Sequence, residues 1–210
     1  MSVARAVSHL KRVDPTLARL IRGVGPCTFA PRREGTHFDA VLRAIVYQQL
    51  SGKAAGTILG RVHAVYGGRS PTPDELLATS EETLRAAGLS RQKLGYARDL
   101  AARVADGAVP VDTLDALDDD AVIAALTSVK GVGRWTAQMF LMFRLGRLDV
   151  LPELDLGVQK GIQLAYGLDT LPRPRDVLAI GAPWAPYRTV ASWYLWRSLD
   201  NGDGQTAAAP

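Results

Sequence analysis

One cysteine, Cys27, stands in a chain of 210 residues, and that scarcity removes several kinds of protein at once. A single thiol cannot assemble a disulfide framework, a zinc knuckle or a four-cysteine iron–sulfur cluster. Histidine is scarce too: His9, His37 and His63 are scattered without metal-ligand spacing, so they read as ordinary surface or core histidines. No apolar run has the length of a membrane span. The opening stretch MSVARAVSHLKRVDP is amphipathic and broken by charge, unlike the continuous apolar centre of a secretion signal. It reads as a first helix, and the chain as a cytoplasmic protein without membrane attachment. A strong charge excess is also missing, with 25 Lys and Arg against 21 Asp and Glu. That balance accommodates nucleic acid but is shared by many solvated surfaces. Sustained apolar–polar alternation, the mark of a half-buried strand, does not occur, and no repeat recurs at a fixed period.

What is present is a globular composition, 47% hydrophobic and 22% charged, in a chain long enough to bury a substantial core. Apolar residues recur at three- and four-residue steps almost throughout, which predicts an all-α fold. Local chemistry marks where helices begin. Thr72-Pro73-Asp74-Glu75 is a capped start with proline in the first turn, Ser80-Glu81-Glu82 is another, closed by Gly88, and Ser90 caps a helix running to Gly107. Asp118-Asp119-Asp120 places acids at an amino-terminal turn, where the helix dipole favours them. The apolar segment 38–66 is too long for one surface helix and breaks at Ser51-Gly52. Further helices are expected over 121–127, 134–145, 156–166 and 187–199, with a frayed tail over 201–210.

The stretch VKGVGRWTAQ, residues 129–138, brackets a valine with two glycines directly ahead of a helix. A Gly-apolar-Gly turn between antiparallel helices permits positive φ and exposes amide N–H groups at the start of the second helix. Those amides favour an anion such as a DNA phosphate, with Lys130 and Arg134 adding charge. A plain tight turn flanked by solvated basic residues accounts for the same residues equally well.

Four ordered motifs decide between the two. LTSVKGVGRWTA (126–137) resembles the helix–hairpin–helix of the DNA glycosylase superfamily. DVLPELDLGV (149–158) resembles the Gly/Pro-rich loop and aspartate that follow the hairpin there. IVYQQLSGKAA (45–55) is similar to the element these enzymes place beside the lesion, and WAPYRTVASWYLW (184–196) resembles the AlkA-like branch that acts on alkylated bases. The resemblance covers residues 38–197. It implies an all-α, two-lobed core over 1–200 with the hairpin at 127–136 and a DNA and base cleft between the lobes; the amino-terminal β domain of the bacterial AlkA type is not expected, a departure in which the chain resembles the compact yeast and bacterial forms.

The resemblance also assigns roles. Asp155, which by itself reads as a helix cap, becomes the catalytic carboxylate that stabilises an oxocarbenium-like sugar and orients water. Strand-cutting relatives carry a Schiff-base lysine two residues after the last hairpin glycine. Trp135 stands there instead, which implies a monofunctional, hydrolytic glycosylase, and the absent cysteines agree in excluding the iron–sulfur cluster of endonuclease III-like relatives. Trp135 and Tyr187 match aromatic positions of the base pocket, with Trp184 and Met139 as further candidates, whereas Trp193 and Trp196 read as core. Gln49 is the implied wedge, with Gln48 and Leu50 beside it. Lys130, Gly131, Gly133, Arg134, Thr136 and Ser51 would contact phosphate. The backbone carbonyls of Thr127, Val129 and Val132 would hold Na+, K+ or Mg2+. One departure stands out: many relatives have two consecutive acids at the catalytic position, but Leu154 replaces the first and Glu153 lies one residue earlier. The implied protein is a monomer acting on alkylated double-stranded DNA in the cytoplasm, at the bacterial nucleoid. A bifunctional glycosylase/lyase and a non-catalytic DNA binder are the alternatives.

Overall fold

The structure is a computed structural model that describes residues 3–203, with side chains to residue 200; of the tail expected over 201–210, residues 201–203 are helical and 204–210 lie outside the described residues. Helix α1 (Val3–Val13) buries Ala6 and Leu10. It stops one residue short of Asp14, whose carboxylate accepts from the Thr16 and Leu17 amides and so caps α2 (Pro15–Val24), a helix with proline in its first turn.

Helix α3 (His37–Tyr47) starts at a Thr36 cap and buries Phe38, Val41, Leu42, Ile45 and Val46. After a break at 48–51, α4 (Gly52–Val65) begins at Ser51. Helix α5 (Pro73–Ala78) opens with a full capping box between Thr72 and Glu75, and α6 (Glu81–Ala86) opens with a Ser80 cap. Helix α7 (Arg91–Ala105) is capped by Ser90 and packs against α5, α6 and α3. A 3₁₀ segment, Val111–Ala116, leads to α8 (Asp119–Thr127), where Asp118 accepts from the Ala121 amide. Helix α9 (Arg134–Phe140) continues directly into a π-helical turn, Leu141–Leu145.

Helix α10 (Leu156–Tyr166) is capped by Asp155 and ends at Gly167 in the left-handed region. Helix α11 (Pro174–Gly181) and the 3₁₀ turn Ala182–Trp184 then precede α12 (Arg188–Asp203), which packs on α10, α2 and α1. The sequence pattern had not indicated α2, α11 or the two 3₁₀ segments, and α12 runs past the expected end at Leu199.

Chain path divides these elements into two compact units. One is formed by Arg32–Phe140, and the other by the described residues before it together with those from Leu141 onward. The core of the second unit gathers Leu10, Leu17, Ile21, Val158, Ile162, Trp184, Trp193, Tyr194 and Leu195. The described residues contain no strand, and no helix among them is long and apolar enough to cross a membrane.

Candidate functional site

Within the unit formed by residues 32–140, two loops are built from the same side of α7. The turn between α8 and α9 closes through a Val132 amide on the Val129 carbonyl, 3.1 Å. Gly131 has φ +79°, and a β-carbon there would lie 2.2 Å from the Tyr96 ring. Glycine is therefore required twice over at this position. Gly133 differs from expectation: its φ is not positive, and a β-carbon would meet nothing within 4 Å. The turn itself has no need of glycine at 133.

The Lys130 amide donates to Asp99 Oδ2 at 2.8 Å, and its ammonium stands 3.8 Å from Oδ1. Arg103 Nε also donates to Asp99, at 2.9 Å. Burial alone would raise the Asp99 pKa, but hydrogen bonds from Lys130 and Arg103 and their positive charges outweigh it, leaving the carboxyl below its ordinary value. Trp135 keeps 36% of its surface exposed, while Met139 one turn later is buried. Thr136 is half-buried and Arg134 exposed.

The second loop follows α3. Gln48 does not project as a wedge: its side-chain amide donates to the Gly131 carbonyl at 2.8 Å, which ties this loop to the hairpin. Gln49 has φ +57°, the only positive-φ non-glycine among the described residues, and is exposed together with Leu50. Ser51 is occupied as a cap, accepting from the Ala54 amide at 3.4 Å.

In the other unit the central group is Asp155. Only 9% of it is exposed, and its Oδ1 accepts from the Val158 amide at 2.7 Å and from the Trp196 indole N–H at 2.8 Å. Trp196 was expected to be simple core. Its ring does stack on Phe143, with centroids 5.8 Å apart, but its polar edge faces the carboxylate. Glycines make this possible: a β-carbon on Gly157 would sit 2.8 Å from Trp196 Cδ1, and one on Gly161 would sit 2.9 Å from the Leu195 carbonyl oxygen. Helices α10 and α12 therefore meet almost backbone to backbone.

The segment leading to Asp155 is pinned from α12. Arg188 Nε and Nη2 grip Asp149 at 2.7 and 2.8 Å, a bidentate pair of the strong kind. Buried Thr189 accepts from the Val150 amide at 3.0 Å and donates to the Arg147 carbonyl at 2.7 Å. Glu153 is buried, whereas Leu154 and Leu156 on either side of Asp155 are 52% and 66% exposed. Tyr187 is half-buried, edge-on to His9 at 5.3 Å.

Trp184 corrects the sequence reading. It is fully buried, and its indole N–H donates to Asp14 Oδ2 at 2.8 Å, so its faces are committed to the core rather than to a base. Tyr166 OH donates to the same oxygen. Burial pushes the Tyr166 phenol up, and Asp14 adds to the rise. For Asp14 burial acts upward, but the hydrogen bonds from Tyr166, Leu17, Trp184 and Thr16 prevail and lower it.

The HhH-GPD superfamily model of base excision DNA repair proteins matches residues 42–186, a span that takes in the Gln49 loop, the hairpin and Asp155. The chain belongs to the HhH-GPD superfamily. It is 34% identical over 207 residues to DNA-3-methyladenine glycosylase 1 of Schizosaccharomyces pombe, covering 96% of this chain and 90% of that protein. Among solved structures it resembles the S. pombe 3-methyladenine DNA glycosylase Mag1 in complex with abasic DNA, with a TM-score of 0.82, 33% identity and coverage of 96% and 99%. It also resembles a DNA-3-methyladenine glycosidase from Bacillus halodurans, with a TM-score of 0.83, 38% identity and coverage of 95% and 90%. Tyr187, Arg188 and Trp196 lie beyond the span of the HhH-GPD match, and of the three the sequence reading had assigned a site role only to Tyr187.

Proposed function

We propose that this chain is a monofunctional DNA glycosylase that binds double-stranded DNA as a monomer and hydrolyses the N-glycosidic bond of alkylated bases such as 3-methyladenine, initiating base excision repair. The observation that carries this reading is the buried Asp155 carboxylate, whose Oδ1 is held from two directions by Val158 and Trp196. A carboxylate fixed before substrate arrives can stabilise positive charge developing on the sugar and direct a water at C1′ without reorganising. The names of the similar proteins give independent support.

Trp135 supplies the second argument. An indole has no amine to form a Schiff base, so the strand-cutting step has no nucleophile at that position. With its ring partly exposed, Trp135 is suited to stack on an extruded cationic base, together with Tyr187. Gln49 would fill the gap left in the duplex. The hairpin from Lys130 to Thr136 would grip phosphate, and at Gly133 the open space where a β-carbon would stand allows a backbone phosphate to approach closely. The carbonyls of Thr127, Val129 and Val132 offer hard oxygens to Na+, K+ or Mg2+. The Val129 oxygen already accepts one amide, and its second lone pair suits a cation. Such an ion would add positive charge at the phosphate contact.

Release of 3-methyladenine from methylated duplex DNA tests the reading. Wild type is expected to release it, with Asp155→Asn slower by roughly a hundredfold or more. Equal release by both proteins would remove Asp155 from the mechanism, and no release by wild type would remove the activity. Borohydride treatment during turnover should trap no protein–DNA adduct, and an adduct would establish lyase chemistry instead.

A further inference from the structure

The carboxyl end of α3 runs directly into the exposed Gln49, and the group that meets it there comes from a different helix. Lys93, in the first turn of α7, donates from Nζ to the Val46 carbonyl at 2.6 Å and to the Gln48 carbonyl at 2.7 Å. Carbonyls in the last turn of a helix lack intrahelical partners, and the dipole favours a cation beside them. Removal from water lowers the pKa of this lysine, so its placement opposes its own solvation. Immediately after the second carbonyl comes Gln49, at φ +57°, a conformation that residues with a β-carbon seldom adopt. The Leu50 amide then returns to the Tyr47 carbonyl at 3.3 Å.

The same helix supports the hairpin. Tyr96 fills the space beneath Gly131, and Asp99 accepts the Lys130 amide. Lys93, Tyr96 and Asp99 recur at three-residue steps, so they lie along one side of α7. Gln48 closes the circuit by donating to the Gly131 carbonyl. The two loops thus share one rigid support and are bonded to each other.

We propose that Lys93 is a positioning residue for base extrusion: by holding the Val46 and Gln48 carbonyls it presents Gln49 in its left-handed conformation, in fixed register with the hairpin. What Gln49 enters rests on the glycosylase reading above; the ordering of the loop by Lys93 does not. Loss of an ammonium that serves two carbonyls should matter to the loop far more than to the helices flanking it.

Two measurements on the full chain test this. In hydrogen exchange, Lys93→Met should speed exchange of the Leu50 amide about tenfold while the α7 amides from Ala97 to Ala101 keep their protection. In 3-methyladenine release from duplex DNA, Lys93→Met should lower kcat/KM roughly tenfold, yet by less than about twofold when Gln49 is already alanine. Lys93→Arg, which keeps charge and donors, should recover most of the loss. An unchanged Leu50 amide, a rise in exchange spread along α7, or losses that add fully with Gln49→Ala would each overturn the proposal. If wild type releases no base, the glycosylase reading fails, and hydrogen exchange alone decides whether Lys93 orders the loop. Should Lys93→Met not fold, Lys93→Gln carries the same readouts.

Discussion

Trp193 and Trp196 are three positions apart on α12, and helical spacing alone treats them alike. Trp193 is 6% exposed within the apolar core, whereas Trp196 turns its N–H onto Asp155 and lays its ring against Phe143. A hydrogen bond to a charged group contributes about 1.5–3 kcal/mol, and its loss here would remove one of the donors that fix Oδ1, leaving the Val158 amide. Trp196→Phe keeps the ring and deletes the donor. We expect kcat to fall by about 10- to 100-fold, with KM within about twofold because the deleted N–H is already committed to Asp155. Steady-state kinetics on alkylated duplex DNA checks this, and an unchanged kcat would show that Asp155 is held well enough without the indole N–H. Periodicity could reveal that both indoles face inward, but not that one of them meets a carboxylate 41 positions earlier.

Glycine substitutions separate what the hairpin needs for folding from what it needs for its partner. Gly131→Ala must overcome positive φ and a β-carbon 2.2 Å from Tyr96, so a loss of about 2–4 kcal/mol is expected. Gly133→Ala meets no neighbour and should cost about 1 kcal/mol or less, yet weaken DNA binding at least about tenfold if a phosphate approaches there. Chemical denaturation and a DNA titration on both variants check the pair; equal effects on binding and stability would defeat the distinction. The starts of α5, α6, α7 and α8 were legible in sequence because each rests on Ser, Thr or Asp bonding an amide three residues on. Helix α11 was not legible. Its cap position is Arg173, and of the eight residues Pro174–Gly181 only Val177 and Gly181 are buried, too sparse a stripe to read. Gln48 and Trp184 were misassigned for a related reason: motif position identifies a neighbourhood, while the partner that fixes a side chain, Gly131 or Asp14, lies far away in the chain.

One polar cluster joins the beginning and end of the chain in the discontinuous unit: Asp14 receives Tyr166 and Trp184. Its effect on stability follows from the two pKa shifts. Asp14 lies below its ordinary 3.8 when folded, so the stability it contributes is present above about pH 4 and lost as pH falls toward the folded value. Tyr166 lies above its ordinary 10.0 when folded, so its contribution is present below about pH 10 and lost as pH rises beyond it. The melting temperature should therefore fall at both extremes, and Tyr166→Phe should make the alkaline limb shallower, leaving the part that Cys27 and Tyr194, both raised by burial, contribute, and leaving an acid limb. A thermal-melt series across pH checks this; an unaltered alkaline limb would show that the phenol is not the group responsible.

That discontinuity also sets an order in time. During synthesis Arg32–Phe140 emerges as an uninterrupted stretch, whereas α1 and α2 must wait for α10 and α12 to leave the ribosome before their core can close. At translation speeds of about 5–20 residues per second the delay is on the order of ten to thirty seconds. We therefore expect the part carrying the hairpin and Gln49 to resist protease on stalled nascent chains before the part carrying Asp155 does. Simultaneous protection of both would contradict this order. With the roles proposed above for the hairpin and Asp155, the newly made protein would acquire its grip on DNA before its means of releasing a base.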